Sequence, residues 1–292
     1  MHESILAFRK RRYLWVALLA VGVAVLVYWI DDPQQPPNGG TPLGYTLGTI
    51  AALLIVWLAW FGVRKRQYAS TIGSLQGWLS AHVYLGVALI VIVLLHAGFQ
   101  FGWNVHTLTF VLLVLVVASG LFGVFVYMRY PERMSKNRGG APRPELIDEL
   151  EDIDRRSLRV AAELGADFSE FVASGVQRTQ LGASLIDRLR GRDSSQVLVR
   201  SGGQSRTVAN AGQEAALDWL AEQQSMARDA ETIAAIGELS ALIRNKRRLL
   251  KQLGEDLKLQ AVLEVWLYAH VPLSIGLLVA LLVHITTVFL YW

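Results

Sequence analysis

The chain contains no cysteine, which excludes disulfides, thiolate zinc sites, iron–sulfur clusters and the CxxCH attachment of c-type haem. Any redox group it carries must therefore be held without thiol chemistry. It also lacks a GxGxxG fingerprint and a P-loop GxxxxGK[ST], so no nucleotide or flavin site is expected within it. Lys and Arg are missing from segments 31–43 and 102–106, although the chain as a whole is basic, with a formal net charge of +4. Histidine is scarce, with 6 in 292 residues, and its placement is therefore informative.

What the chain has in quantity is apolar length. It is 53% hydrophobic with mean hydropathy +0.36, above the apolar share of about 45 to 50% usual in soluble domains. Five stretches are long enough to span a bilayer: about 13–30, 44–63, 77–101, 107–128 and 265–291. The first follows the basic cluster Arg9, Lys10, Arg11 and Arg12 and is followed by no small-residue cleavage site. It reads as an uncleaved anchor rather than a signal peptide. Segment 31–40, acidic and rich in Pro and Gly, reads as a loop.

Span two ends in Arg64, Lys65 and Arg66, and span four runs into Arg129, Arg133, Lys136 and Arg138. By the positive-inside rule these ends and the N-terminus are expected to be cytoplasmic, the two loops without Lys or Arg outward, and the C-terminus outside. Spans three and five then run in the same direction. The reading is an all-α integral membrane bundle of five transmembrane helices in a bacterial inner (plasma) membrane. Expected boundaries are 1–129 for spans one to four, 130–261 for a mostly helical cytoplasmic insert, and 262–292 for span five.

Two of these spans resemble each other closely. Trp78, His82, His96 and Phe101 map onto Trp266, His270, His284 and Phe289 with one constant offset of 188. Within each span the two histidines stand at positions i and i+14. At about 100° per residue that step falls about 40° short of whole turns, and at 1.5 Å rise it covers roughly 21 Å. Both imidazoles thus lie on nearly one face, one in each leaflet of an apolar core about 30 Å thick. Parallel spans would bring His82 opposite His270 near the inner face and His96 opposite His284 near the outer face. Each facing pair is suited to gripping a haem iron from both sides.

Ionisable residues inside a bilayer are costly and by default functional. A structural hydrogen bond or a proton path competes with ligation for a single histidine, but four at matched depths favour two haem b groups. A shared metal ion fits less well, because the i, i+14 spacing holds the imidazoles of one helix too far apart. His106 falls outside the pattern, at the outer end of span four, and reads as interfacial, with contact to the outer haem or a quinone as its alternative. Gly86, Gly98, Gly102, Ser119, Gly120 and Gly123 permit close helix approach and could equally clear room for a flat macrocycle. Pro272 is expected to kink span five, and Trp78 and Trp266 to sit at headgroup level or against the inner haem edge. Arg64, Lys65, Arg66 or Arg129 would neutralise inner propionates, and Trp103, Asn104 or His106 would serve the outer side.

The insert opens with a linker, 137–144, and a helix start at Pro144 and Glu145. A second helical stretch is expected over about 214–253, and strands at 196–200 and 205–208 flank Gly202 and Gly203 as a hairpin signal. Arg244, Lys246, Arg247 and Arg248 read as a solvated surface, with anionic headgroups or a partner as the competing reading. Nucleic acid is not expected so close to a span. Glu264 reads as solvated, with proton acceptance near the inner ligand as its alternative.

With His82, His96, His270 and His284 in this arrangement the chain resembles the dihaem b-type cytochromes, including the cytochrome b of quinol-oxidising complexes and the ferric-reductase-like transmembrane proteins. The likeness covers spans two to five, with its specific content in spans three and five. It implies transmembrane electron transfer as the membrane subunit of an oxidoreductase. The partners implied are membrane lipid, a cytoplasmic redox partner or quinol as donor, and an outward acceptor. The flavin and nicotinamide domain that the ferric reductase and NADPH oxidase group adds shows no fingerprint here, and the insert has no counterpart. The alternative function is a membrane sensor or scaffold whose cytoplasmic helices bind a partner.

Overall fold

A computed structural model describes residues 5–31, 36–67, 73–137, 139–201 and 204–291. His2, residues 32–35 of the first loop, Arg138 of the linker, and Gly202 and Gly203 lie outside the described residues. The fold is all-α, with five helices long and apolar enough to cross a membrane. They are α1 (Phe8–Ile30), α2 (Pro42–Arg64), α3 (Leu75–His96), α4 (Val105–Asn137) and the last part of the final helix, α9 (Ala230–Tyr291). Five such helices make this an integral membrane protein.

The chain divides into two compact units, Met1–Phe125 with Trp266–Trp292, and Val126–Val265. The first is the helical bundle. Its core is a stripe on α2 (Leu47, Ala51, Ile55, Leu58) with Leu89, Ile92 and Leu95 of α3, Leu113 of α4, and Leu277 and Leu281 of α9. The steps of three and four residues on α2 mark one helical face.

Local chemistry sets the helix ends. In α1, Arg9, Lys10 and Arg11 have positive φ (44°, 57° and 61°), so the regular helix begins where the apolar run does. Thr41 caps α2 by accepting from the Gly44 amide at 3.1 Å, with Pro42 in the first turn. Helix α3 starts with Ser74 accepting from the Gly77 amide at 3.1 Å. It ends at His96, five residues before the expected Phe101, in a Schellman motif. Gly98 at φ 56° donates to Leu95 O at 3.1 Å, and Phe99 donates to Leu94 O at 3.3 Å. Phe101 is therefore outside α3, while Phe289 is inside α9. This member of the 188-residue correspondence has no structural counterpart. Helix α9 continues through Pro272.

The second unit contains α5 (Arg143–Leu164), α6 (Ala166–Gln177), α7 (Leu185–Arg190), α8 (Glu214–Met226), the first part of α9 and a two-stranded antiparallel hairpin. Pro144 falls in the first turn of α5, as expected. The strands β1 (Gln196–Ser201) and β2 (Gln204–Ala209) pair in the register Gln196↔Ala209 to Ser201↔Gln204. The expected continuous stretch 214–253 is broken between α8 and α9. Asp229 caps the new helix by accepting from the Thr232 amide at 2.7 Å. The core gathers Phe171, Trp219, Leu220, Ile236 and Leu239, with Phe171 and Trp219 stacked at 4.0 Å.

Three members of the basic run are engaged within this unit. Lys246 is fully buried and donates to Asp154 Oδ1 at 2.7 Å. Arg247 pairs with Glu214 at 3.1 Å and Arg248 with Glu149 at 3.5 Å. The expectation of a solvated surface fails at Lys246, because Asp154 on α5 compensates a charge taken out of water. Glu264 pairs with Arg188 at 3.1 Å.

Candidate functional site

The four histidines of the i, i+14 pattern lie in the helical bundle and are partly buried. His96 and His284 stand with ring centres 6.1 Å apart and ring planes at 79°. His82 and His270 lie within electrostatic range of each other. Equal depths on α3 and α9 are thus brought together, which requires the two helices to run parallel. Two levels result, one at each end of the step.

Each ring is fixed by a neighbouring helix through Nδ1. Nδ1 of His82 lies 3.1 Å from the carbonyl oxygen of Leu58, and Nδ1 of His96 lies 2.7 Å from that of Gly44. A carbonyl only accepts, so both Nδ1 atoms carry the proton and donate it. The acceptors on α2 are themselves related as i and i+14, so an antiparallel helix offers one carbonyl to each level. Four residues beyond each acceptor stands a glycine, Gly48 and Gly62. A Cβ at Gly48 would meet Cε1 of His96 at 2.6 Å, so the absent side chain is what admits the ring, whereas a Cβ at Gly62 would meet nothing within 4 Å.

Span four serves α9 in the same way. Nδ1 of His270 lies 2.7 Å from the Ser119 hydroxyl, which donates its own proton to Val116 O at 2.8 Å. His270 therefore donates from Nδ1. Trp266, one turn earlier, donates from Nε1 to Ser119 O at 2.8 Å and stacks beside His270 with ring centres 5.4 Å apart. Gly123 makes room for the Trp266 indole, which a Cβ there would strike. At the other level Nδ1 of His284 meets Nδ1 of His106 at 2.6 Å.

The tautomers bear directly on ligation. A metal-bound imidazole commonly donates its second nitrogen to a carbonyl or other acceptor, which fixes the tautomer and the ring plane. His82, His96 and His270 meet that condition, and among the described residues no hydrogen bond engages their Nε2 atoms. The ring separation also fits. Two imidazoles on opposite sides of one metal, with bonds of about 2 Å and about 1.1 Å from nitrogen to ring centre, stand roughly 6 Å apart. His96 and His284 match that value. Among the described residues no group of three or more His, Asp or Glu side chains is gathered to hold a metal ion. At the His96–His284 level a third imidazole, His106, stands beside His284 with ring centres 4.5 Å apart.

Trp78 stacks on Trp57 at 4.9 Å, so the two matched tryptophans have different neighbours. Arg64, one of four candidates to face an inner propionate, is buried and donates to the backbone oxygens of Gln67 at 3.0 Å and Gly73 at 2.9 Å. Asn104 accepts from the Thr107 amide at 3.0 Å and caps α4. Trp103 is wholly exposed. Sequence reasoning missed Gly44, Leu58, Ser119 and Gly48 as partners of the rings, and did not pair His106 with His284. The one signal available was the i, i+14 relation of Gly48 and Gly62 on span two.

No protein-family model matches the chain, and neither the curated proteins nor the solved structures compared with it provide a match.

Proposed function

We propose that this protein carries electrons across a membrane, with two haem b groups held by His82 with His270 and by His96 with His284. The observation that carries the reading is the His96–His284 pair, 6.1 Å between ring centres, with Nδ1 of His96 already committed to a carbonyl. A haem held at each level would supply one-electron chemistry there. The chain's own residues supply position. Leu58 O, Gly44 O and Ser119 Oγ hold three rings in the tautomer whose Nε2 is a lone pair. Phe61 lies 5.1 Å from His82 and Trp266 stacks beside His270, which walls the first level with apolar rings.

In this proposal the protein sits in a bacterial inner membrane with the N-terminus and residues 130–261 cytoplasmic and the C-terminus outside. The His82–His270 level is then the inner one. The donor is a cytoplasmic redox partner or a quinol, and the acceptor is outward. Pyridine haemochrome of the purified protein should give a ratio approaching two haems per chain, low-spin and with little carbon monoxide binding; a ratio near zero in fully loaded protein sinks the proposal. Orientation is checked separately on this cysteine-free chain by placing a cysteine at Ser194. Labelling of that cysteine from outside intact cells overturns the topology.

A further inference from the structure

Three of the four proposed ligands lean on groups whose hydrogen-bond role is fixed. His82 and His96 donate to backbone carbonyls, and His270 donates to a hydroxyl that spends its own proton on Val116 O. His284 alone leans on another imidazole, with Nδ1 of His106 at 2.6 Å and the ring centres 4.5 Å apart at 86°. His106 has no partner in the 188-residue correspondence. Its place on α4 is nonetheless the one Ser119 holds at the other level. Paired positions on these antiparallel helices sum to 390 for His106 and His284 and to 389 for Ser119 and His270.

Two ring nitrogens 2.6 Å apart form a hydrogen bond in which one donates and the other accepts. A neutral His284 that accepted at Nδ1 would carry its proton on Nε2 and be unable to bind a metal there. One that donates from Nδ1 keeps Nε2 as a lone pair, like the other three. We infer that His106 is the positioning residue of the His96–His284 level, accepting the Nδ1 proton of His284 and so fixing its ring plane and ligating tautomer. The inference rests on the haem reading proposed above. An accepting partner also raises the basicity of the ligating nitrogen, which favours ferric iron and lowers the potential.

The test uses the full chain with His106→Leu, which removes the acceptor, and His106→Ser, which places at 106 the side chain that serves His270. Haem content, a redox titration and the low-spin electron paramagnetic resonance signals are read for each protein. In His106→Leu one haem is expected to be held about 10- to 100-fold more weakly and to titrate at a higher potential with an altered signal, the other remaining as in wild type. His106→Ser is expected to restore both retention and potential. Two unchanged haems in His106→Leu overturn the positioning role, as does a loss that serine leaves unrestored. Haem lost in His106→Leu but kept in His284→Leu makes His106 the ligand itself and also overturns it. Wild-type protein that takes up no haem removes the haem reading, an outcome visible before any substitution.

Discussion

At Gly48 the presence or absence of one methyl group decides whether His96 can keep its place. A Cβ there would come within 2.6 Å of Cε1 and 2.8 Å of Nδ1 of the ring, distances that no packed side chain holds. Gly48→Leu is therefore expected to push His96 off the Gly44 carbonyl and, on the proposed haem reading, to halve the haemochrome ratio. Gly62→Ala, one matching step along the same helix and with open space around it, should leave that ratio unchanged. Equal loss from the two substitutions would refute this account of the α2 glycines. The histidines themselves were legible because ionisable side chains stand out in an apolar run. Their carbonyl partners were not, since a backbone oxygen has no letter of its own in a sequence. Ser119 was hidden for a related reason, being one small residue among several whose bland role is helix packing.

For single elements, legibility depended on whether the deciding contact was local. The start of α2 at Thr41 and Pro42 and the end of α3 at Gly98 are set by adjacent residues, yet the apolar run carried the expected end of span three on to Phe101, because hydropathy continues where the backbone turns. Lys246 is the opposite case. Within its own helix it reads as one more cation in a basic run, and only Asp154, 92 residues away, shows that it is buried. The Lys246 side chain is 2% exposed and that of Asp154 17%, so removing the carboxylate alone strands an ammonium group in the core of the second unit. Asp154→Ala should destabilise that unit by about 3 to 5 kcal/mol, read as lost amide-exchange protection over Ile236–Leu250 in the full chain. The double substitution Asp154→Ala with Lys246→Met should recover most of the loss, because no unpaired charge remains. Undiminished protection in Asp154→Ala would show that the pair contributes little.

Over the whole molecule, five spans and the parallel run of the third and fifth followed from apolar length and from the distribution of Lys and Arg, and the bundle shows the same pairing of depths. The interior of residues 126–265 was less legible, because its amphipathic helices pack on contacts that are remote in sequence. The two helix pairs also differ in one respect. Gly44 leads to His106, and Leu58 to Ser119, by nearly the same offset in numbering, whereas His82 to His270 and His96 to His284 share the larger offset of 188. The pair formed by α4 and α9 is thus the longer by the whole insert, which lies between its two spans. The α4–α9 pair is a hairpin with the insert at its bend, where insertions are best tolerated. The insert should then be dispensable to the bundle: with residues 138–252 exchanged for the segment 65–74 that joins α2 to α3, the membrane part is expected to insert and retain the haemochrome ratio of the full chain. A ratio near zero in a shortened chain that still inserts, beside a loaded full chain, would mean that the helix pairs need the insert to hold their rings in place.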